Sequence, residues 1–201
     1  MIKILQLAAT ICFLFLLSCE SSKSKKTINQ KPIPSFLKEY NYTTLPLKMK
    51  GCKENGLPLM NDSDLEKTQE DGTIPYCTFN TNGDYYAVVR LGLADCFLPQ
   101  LITYGMNGKK IDKKTIAIGY CGCGPGFHCE EFTVIKKDFS IYSSDTISIA
   151  EIDSLGDEIK STAQKYIVYK KGKLLKTGKI ELTGEIKKVL IQPKSLIRNI
   201  Q

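Results

Sequence analysis

From Thr73 onward the apolar residues recur at every second position or in short unbroken runs, separated by breaks that contain glycine, proline or asparagine. A period of two marks a strand with one face in a core, and a short apolar run marks a strand buried on both faces. Thr73–Phe79 is a short run with a proline in it. Tyr85-Tyr86-Ala87-Val88-Val89-Arg90-Leu91 is aromatic and β-branched, nearly apolar on both sides, and reads as a central strand. Leu101–Tyr104 leads to Asn107-Gly108, a dipeptide that tolerates positive φ and closes a tight hairpin. Thr115–Tyr120 reads as the next strand, with Ile116, Ile118 and Tyr120 on one face. Phe132–Ile135, Phe139–Tyr142, Ile147–Ile152 and Tyr166–Tyr169 continue the series. Lys171-Gly172 reads as a turn into Leu174–Leu182, and Val189-Leu190-Ile191 is the last apolar run. The pattern predicts a mainly β fold, an antiparallel meander closing as a sandwich or barrel. Helix is scarce: Ser63-Asp64-Leu65-Glu66 has the form of a capping box, with only Leu65 as an apolar anchor.

The first residues follow another logic. Lys3 is followed by a stretch from Ile4 to Leu17 that is apolar apart from Gln6, Thr10 and Cys12. That length suits the apolar region of a signal peptide and is short for a membrane span, which needs roughly 20 residues. Leu16-Leu17-Ser18-Cys19 comes next, and polarity begins at once with Glu20-Ser21-Ser22-Lys23. This tetrapeptide resembles the lipobox of bacterial lipoprotein precursors. The resemblance covers about the first 20 residues and implies that residues 1–18 are removed and that Cys19 carries the lipid. Acyl chains, palmitate among them, would then hold the chain on a membrane, each buried methylene contributing about 0.8 kcal/mol. The expected location is the bacterial cell envelope, facing the periplasm or the cell surface.

Residues 19–38 read as the lipidated cysteine and a flexible basic tether: Ser, Lys, Asn, Gln and Pro dominate, and Lys23, Lys25 and Lys26 repel one another. Residues 39–201 read as a single β-rich domain. Removing residues 1–18 takes away one charge, Lys3, so the formal net charge falls from +7 to +6. The lysines are scattered, and the chain contains only Arg90 and Arg198 as arginines. Nucleic-acid recognition calls for a concentrated basic face, so nucleic acid is set aside as a partner. Solubility and attraction to anionic membrane or wall surfaces account for the charge.

With Cys12 and Cys19 set aside, six cysteines remain: Cys52, Cys77, Cys96, Cys121, Cys123 and Cys129. An even number in an oxidising compartment makes three disulfides the default, with 15 pairings open. Cys121 and Cys123 would point to the same side of a strand about 6.5–7 Å apart, so each is expected to reach a different partner. Three early and three late cysteines invite cross-links between the two halves of the chain. The alternative centres on Cys121, Cys123, His128 and Cys129, three thiols and the only histidine within nine residues. Four such ligands could hold zinc or copper, or the thiols could exchange with disulfides, although the spacing differs from paired Cys-x-x-Cys ribbons.

The remaining constellations carry less. Asp62-Ser63-Asp64 begins like a calcium loop, but Lys67 and Thr73 stand where glycine and a bidentate carboxylate belong. Asp84, Arg90 and Asp95 flank the central strand as ion-pair candidates. Tyr40 and Tyr42 could serve binding, while Tyr85 and Tyr86 read as sheet core. A hydrolytic triad would have to use His128, no Gly-x-Ser-x-Gly elbow occurs, and no carboxylate pair stands out. No catalytic residue is therefore assigned. The reading is a membrane-anchored, disulfide-stapled, non-catalytic domain that binds an envelope protein or wall component or serves the envelope structurally, with the metal or thiol site as its alternative.

Overall fold

A computed structural model describes residues 34–51, 72–92, 94, 97–122 and 124–191. Two sheets face each other there. The five-stranded sheet has the order β1-β3-β4-β5-β6, formed by Asn41–Thr43, Thr73–Phe79, Tyr85–Gly92, Leu98–Gly105 and Lys110–Thr115. The six-stranded sheet runs β10-β9-β8-β7-β2, with β11 also paired to β9. Its strands are Leu47–Gly51 (β2), Phe127–Ile135 (β7), Ser140–Ile149 (β8), Gln164–Leu174 (β9), Ile180–Leu182 (β10) and Ile186–Ile191 (β11). β3 to β6 form one meander and β7 to β9 another, so the expected meander is present twice and closes as a sandwich. The pairing is antiparallel except between β1 and β3.

Alternation explains the core. Ile74, Phe79, Val89, Leu91 and Leu101 point inward from the five-stranded sheet and meet Met49, Ile135, Ile141, Leu174 and Ile180 from the other. The outer face of the five-stranded sheet is also apolar, at Val88 and Ile102, and is covered by a 3₁₀ turn at Ser35–Glu39. Leu37 and Tyr40 are buried against it, and the Phe36 ring packs 4.9 Å from Tyr104 and 6.3 Å from Tyr86. Residues 35–38 of the expected tether thus pack against this sheet. Arg90 is buried beneath this turn and pairs with Tyr40, Thr73 and Glu39, while Asp95 of the expected ion-pair set lies outside the described residues.

Two local expectations are corrected. Thr115 ends β6, and residues 116–121 form a crossing segment between the sheets instead of a strand. Ile116, Ala117 and Ile118 are buried in succession between the sheets, and Gly119 takes a positive φ of 87°. Lys171-Gly172 lies inside β9, and the turn follows at Leu175–Gly178. Glycine is required at 172 by close backbone approach: a Cβ there would lie 2.3 Å from the Glu181 carbonyl oxygen of β10. The capping-box segment and the acidic residues from Asp62 to Asp71 lie outside the described residues.

Candidate functional site

The Cys121–Cys129 loop closes on itself. The two cysteines form a disulfide with Cα atoms 5.3 Å apart and eight residues of separation. Gly124 bridges Phe127, and Gly126 adopts φ +66° while its carbonyl accepts the Ala150 N–H at 2.8 Å. The described bridge is therefore local, in contrast to the expected link between the two halves of the chain. Cys19, Cys52, Cys96 and Cys123 lie outside the described residues. Cys77 departs from the disulfide expectation: its thiol is free and sealed in the core on the inner face of β3, where burial pushes its pKa up to about 12.

Among the described residues, which leave out Cys123, the metal-ligand set does not assemble in this state. The sulfurs of Cys121 and Cys129 are bonded to each other, so neither offers the thiolate that zinc or copper binding needs. His128 precedes Cys129 in β7 and so points to the opposite face of the strand. Its exposed ring pairs through Nε2 with the Glu158 carboxylate.

Beside the bridge lies a polar stripe that no motif revealed. An Asp145 carboxylate oxygen and the two sulfurs lie within 4.8 Å of one another. Asp145 stands directly opposite Glu131 on the neighbouring strand, and Ser143 lies opposite Thr133 and beside Lys170. All five are buried on the inner face of the six-stranded sheet. Most of the stripe serves the crossing segment, whose backbone would otherwise be buried without partners. Ser143 donates to the Ile116 carbonyl, and Lys170 Nζ donates to the carbonyls of Ala117 at 2.6 Å and Thr115 at 3.3 Å. Asp145 accepts the Tyr120 N–H at 2.7 Å.

Burial dominates the electrostatics of this stripe. It raises the Asp145 carboxyl, while the N–H groups of Tyr120, Cys121 and Gly119 pull the other way. It lowers the Lys170 ammonium against the attraction of the surrounding carboxylates. Glu131 is pushed up to about 7, first by burial and then by the Asp145 charge. Neither of its carboxylate oxygens has a hydrogen-bond partner, and the side chain lies over Gly51, where a Cβ would sit 2.6 Å from Oε2.

Among the described residues no element packs over the outer face of the same sheet, where Val134 and Ser144 are buried between larger neighbours. Lys48, Val134, Tyr142 and Lys171 align in one cross-strand row, and Lys50, Phe132, Ser144, Tyr169 and Ile186 in the next. The lysines at the rims are exposed and the rings between them half-buried. Tyr142 and Tyr169 lie 6.0 Å apart with their planes 29° from parallel, and Lys171 Nζ is 5.9 Å from the Tyr169 ring centre. At the β10 edge this face runs into an open groove of about 650 Å³, lined in part by Lys114, Lys171, Lys173, Glu181 and Thr183. That volume falls within the usual range for small-molecule sites. Tyr42 is exposed elsewhere, while Tyr40 is buried beneath the 3₁₀ turn.

Compared with known proteins, the chain matches no family model, no curated protein and no solved structure. Parity along β7 could have located both features. Ile135 is a core residue, so Thr133 and Glu131 share its inward face, and Phe132 must point out.

Proposed function

We propose that the chain is an exported bacterial lipoprotein, anchored through lipid on Cys19, whose sandwich works as a non-catalytic binding domain for a component of the cell envelope. The observation that carries the binding half of this reading is the open outer face of the six-stranded sheet, with aromatic rings at its centre and lysines along both rims. A rigid sheet presents such side chains with little conformational freedom to lose on binding. The lipobox sequence supports the anchor, and the Cys121–Cys129 disulfide suits an oxidising compartment beyond the cytoplasm.

The test is made in bacteria expressing the full chain. Labelled palmitate should enter the protein and vanish from the Cys19→Ser variant, which should also leave the membrane fraction. A Cys19→Ser chain that still takes up label and stays membrane-bound overturns the anchor. On the binding side, Lys48→Gln with Lys171→Gln should release envelope material that crosslinks to the unaltered protein. Unchanged crosslinking overturns the role of the face.

A further inference from the structure

The chemistry of this open face narrows the class of partner, on the understanding that the face is the binding surface proposed above. We infer that it docks a linear acidic polysaccharide in which charged and neutral sugars alternate. Three observations lead there. The cations lie at the rims: Lys48 and Lys171 end one row, with Val134 and Tyr142 between them. Those two lysines stand three strands apart, about 14 Å along the row at the usual strand spacing. A polymer charged at every unit would set anionic groups over Val134 and Tyr142, the apolar middle of the row. A polymer with a neutral sugar between acidic ones places each kind of unit over matching chemistry.

The second observation is the pair of rings. Tyr142 and Tyr169 are tilted only 29° from parallel and are half-buried, so they offer flat apolar surface without protruding. The apolar face of a pyranose can lie on such rings. The third is the groove that continues the face. Lys114 and Lys173 supply positive charge there, and Glu181 and Thr183 supply acceptors for sugar hydroxyls. Lysine suits this task as a point charge on a flexible stem, which reaches a carboxylate without a fixed fork geometry.

The experiment uses the full chain in detergent micelles and hyaluronan, in which glucuronate alternates with a neutral amino sugar, immobilised on a sensor. Binding is expected to weaken with salt, because salt screens the attraction between the lysines and the carboxylates. In the Lys48→Gln, Lys171→Gln variant binding at low salt should weaken and the slope of log affinity against log salt should become shallower. Lys109→Gln with Lys110→Gln, at the β5–β6 hairpin, removes the same charge elsewhere and should leave the slope unchanged. Tyr169→Leu, which keeps an apolar side chain on the strand, should weaken binding while soluble polyglutamate competes poorly.

Equal loss in both lysine variants, or polyglutamate competing as well as hyaluronan, reduces the interaction to charge and overturns the inference. Binding to phosphatidylglycerol vesicles alone, lost in the Lys48, Lys171 variant, also overturns the polysaccharide while leaving the face as a binding surface. Face variants that alter binding to none of these probes remove the inference and the face together.

Discussion

Arg90 donates from Nη1 to the Tyr40 hydroxyl at 2.8 Å, joining the buried centre of β4 to the turn that covers its sheet. Nε and Nη2 reach the hydroxyl and carbonyl of Thr73 at 2.5 and 3.0 Å, and the Glu39 carboxylate lies 3.6 Å away. Arg90 is 3 % exposed, so each of these acceptors replaces lost water. Tyr40→Phe is expected to cost about 1–3 kcal/mol, because it leaves a buried guanidinium N–H without that acceptor. Tyr42→Phe, at a side chain 66 % exposed, should cost nothing measurable. Denaturant midpoints of the two variants decide the matter, and equal midpoints would dismiss the contact as an anchor.

Glu131 should make the protein less stable as the solution turns from acid to neutral. Its carboxyl rises from 4.5 to about 7 on folding, so the folded state holds a proton that the unfolded state releases. The sign follows from linkage: the contribution is fully present below about pH 4.5 and is lost as pH rises through 7. Asp145 is shifted the same way and adds to the slope. The size of the Glu131 shift corresponds to roughly 3 kcal/mol at most. Glu131→Gln should flatten most of the slope between pH 5 and 8 in denaturation measured across that range. An unchanged slope in the variant would assign it to other groups.

Removing the bridge as a pair, Cys121→Ser with Cys129→Ser, is expected to destabilise by about 2–3 kcal/mol, since the closed loop is short. For a domain of this size that is a fall in Tm of roughly 5–10 °C. An unaltered Tm would mean that the bridge adds no net stability.

Cys77 should resist alkylation in the folded protein. Burial holds the thiol near 12, so almost no thiolate exists at pH 8, and the side chain is 4 % exposed. Peptide mapping after iodoacetamide treatment should find Cys77 unmodified in native buffer and modified in denaturant. Labelling under native conditions would show that the core opens on the timescale of the reaction.

What was legible in the sequence depended on how far local pattern decided burial. The apolar run of β4 and the Asn107-Gly108 turn are self-contained signals, and both appear, with Gly108 at φ +79°. The single strand β8 reads as two apolar runs because Ser143, Ser144 and Asp145 between them are polar. They are strand residues whose polarity is needed by the crossing segment or tolerated on the outer face, a demand set by a distant part of the fold. β2 alternates cleanly from Leu47 to Gly51 and could have been read from period alone. The Cys121–Cys129 pairing could not, since it depends on the glycine turn that brings β7 back beside the end of the crossing segment.

One edge of the six-stranded sheet is divided. β9 is a strand of 11 residues, and its outer side is shared by β10 over Gly172–Leu174 and β11 over Lys165–Tyr169. Residues 183–185 interrupt the two short strands, and Lys187 and Lys188 sit within the second. An uninterrupted edge offers a long ladder of free backbone groups on which another chain can grow, and each such addition presents the same ladder again. Splitting the edge shortens the ladder, so the protein can be crowded along a surface without its sheets adding end to end into fibres.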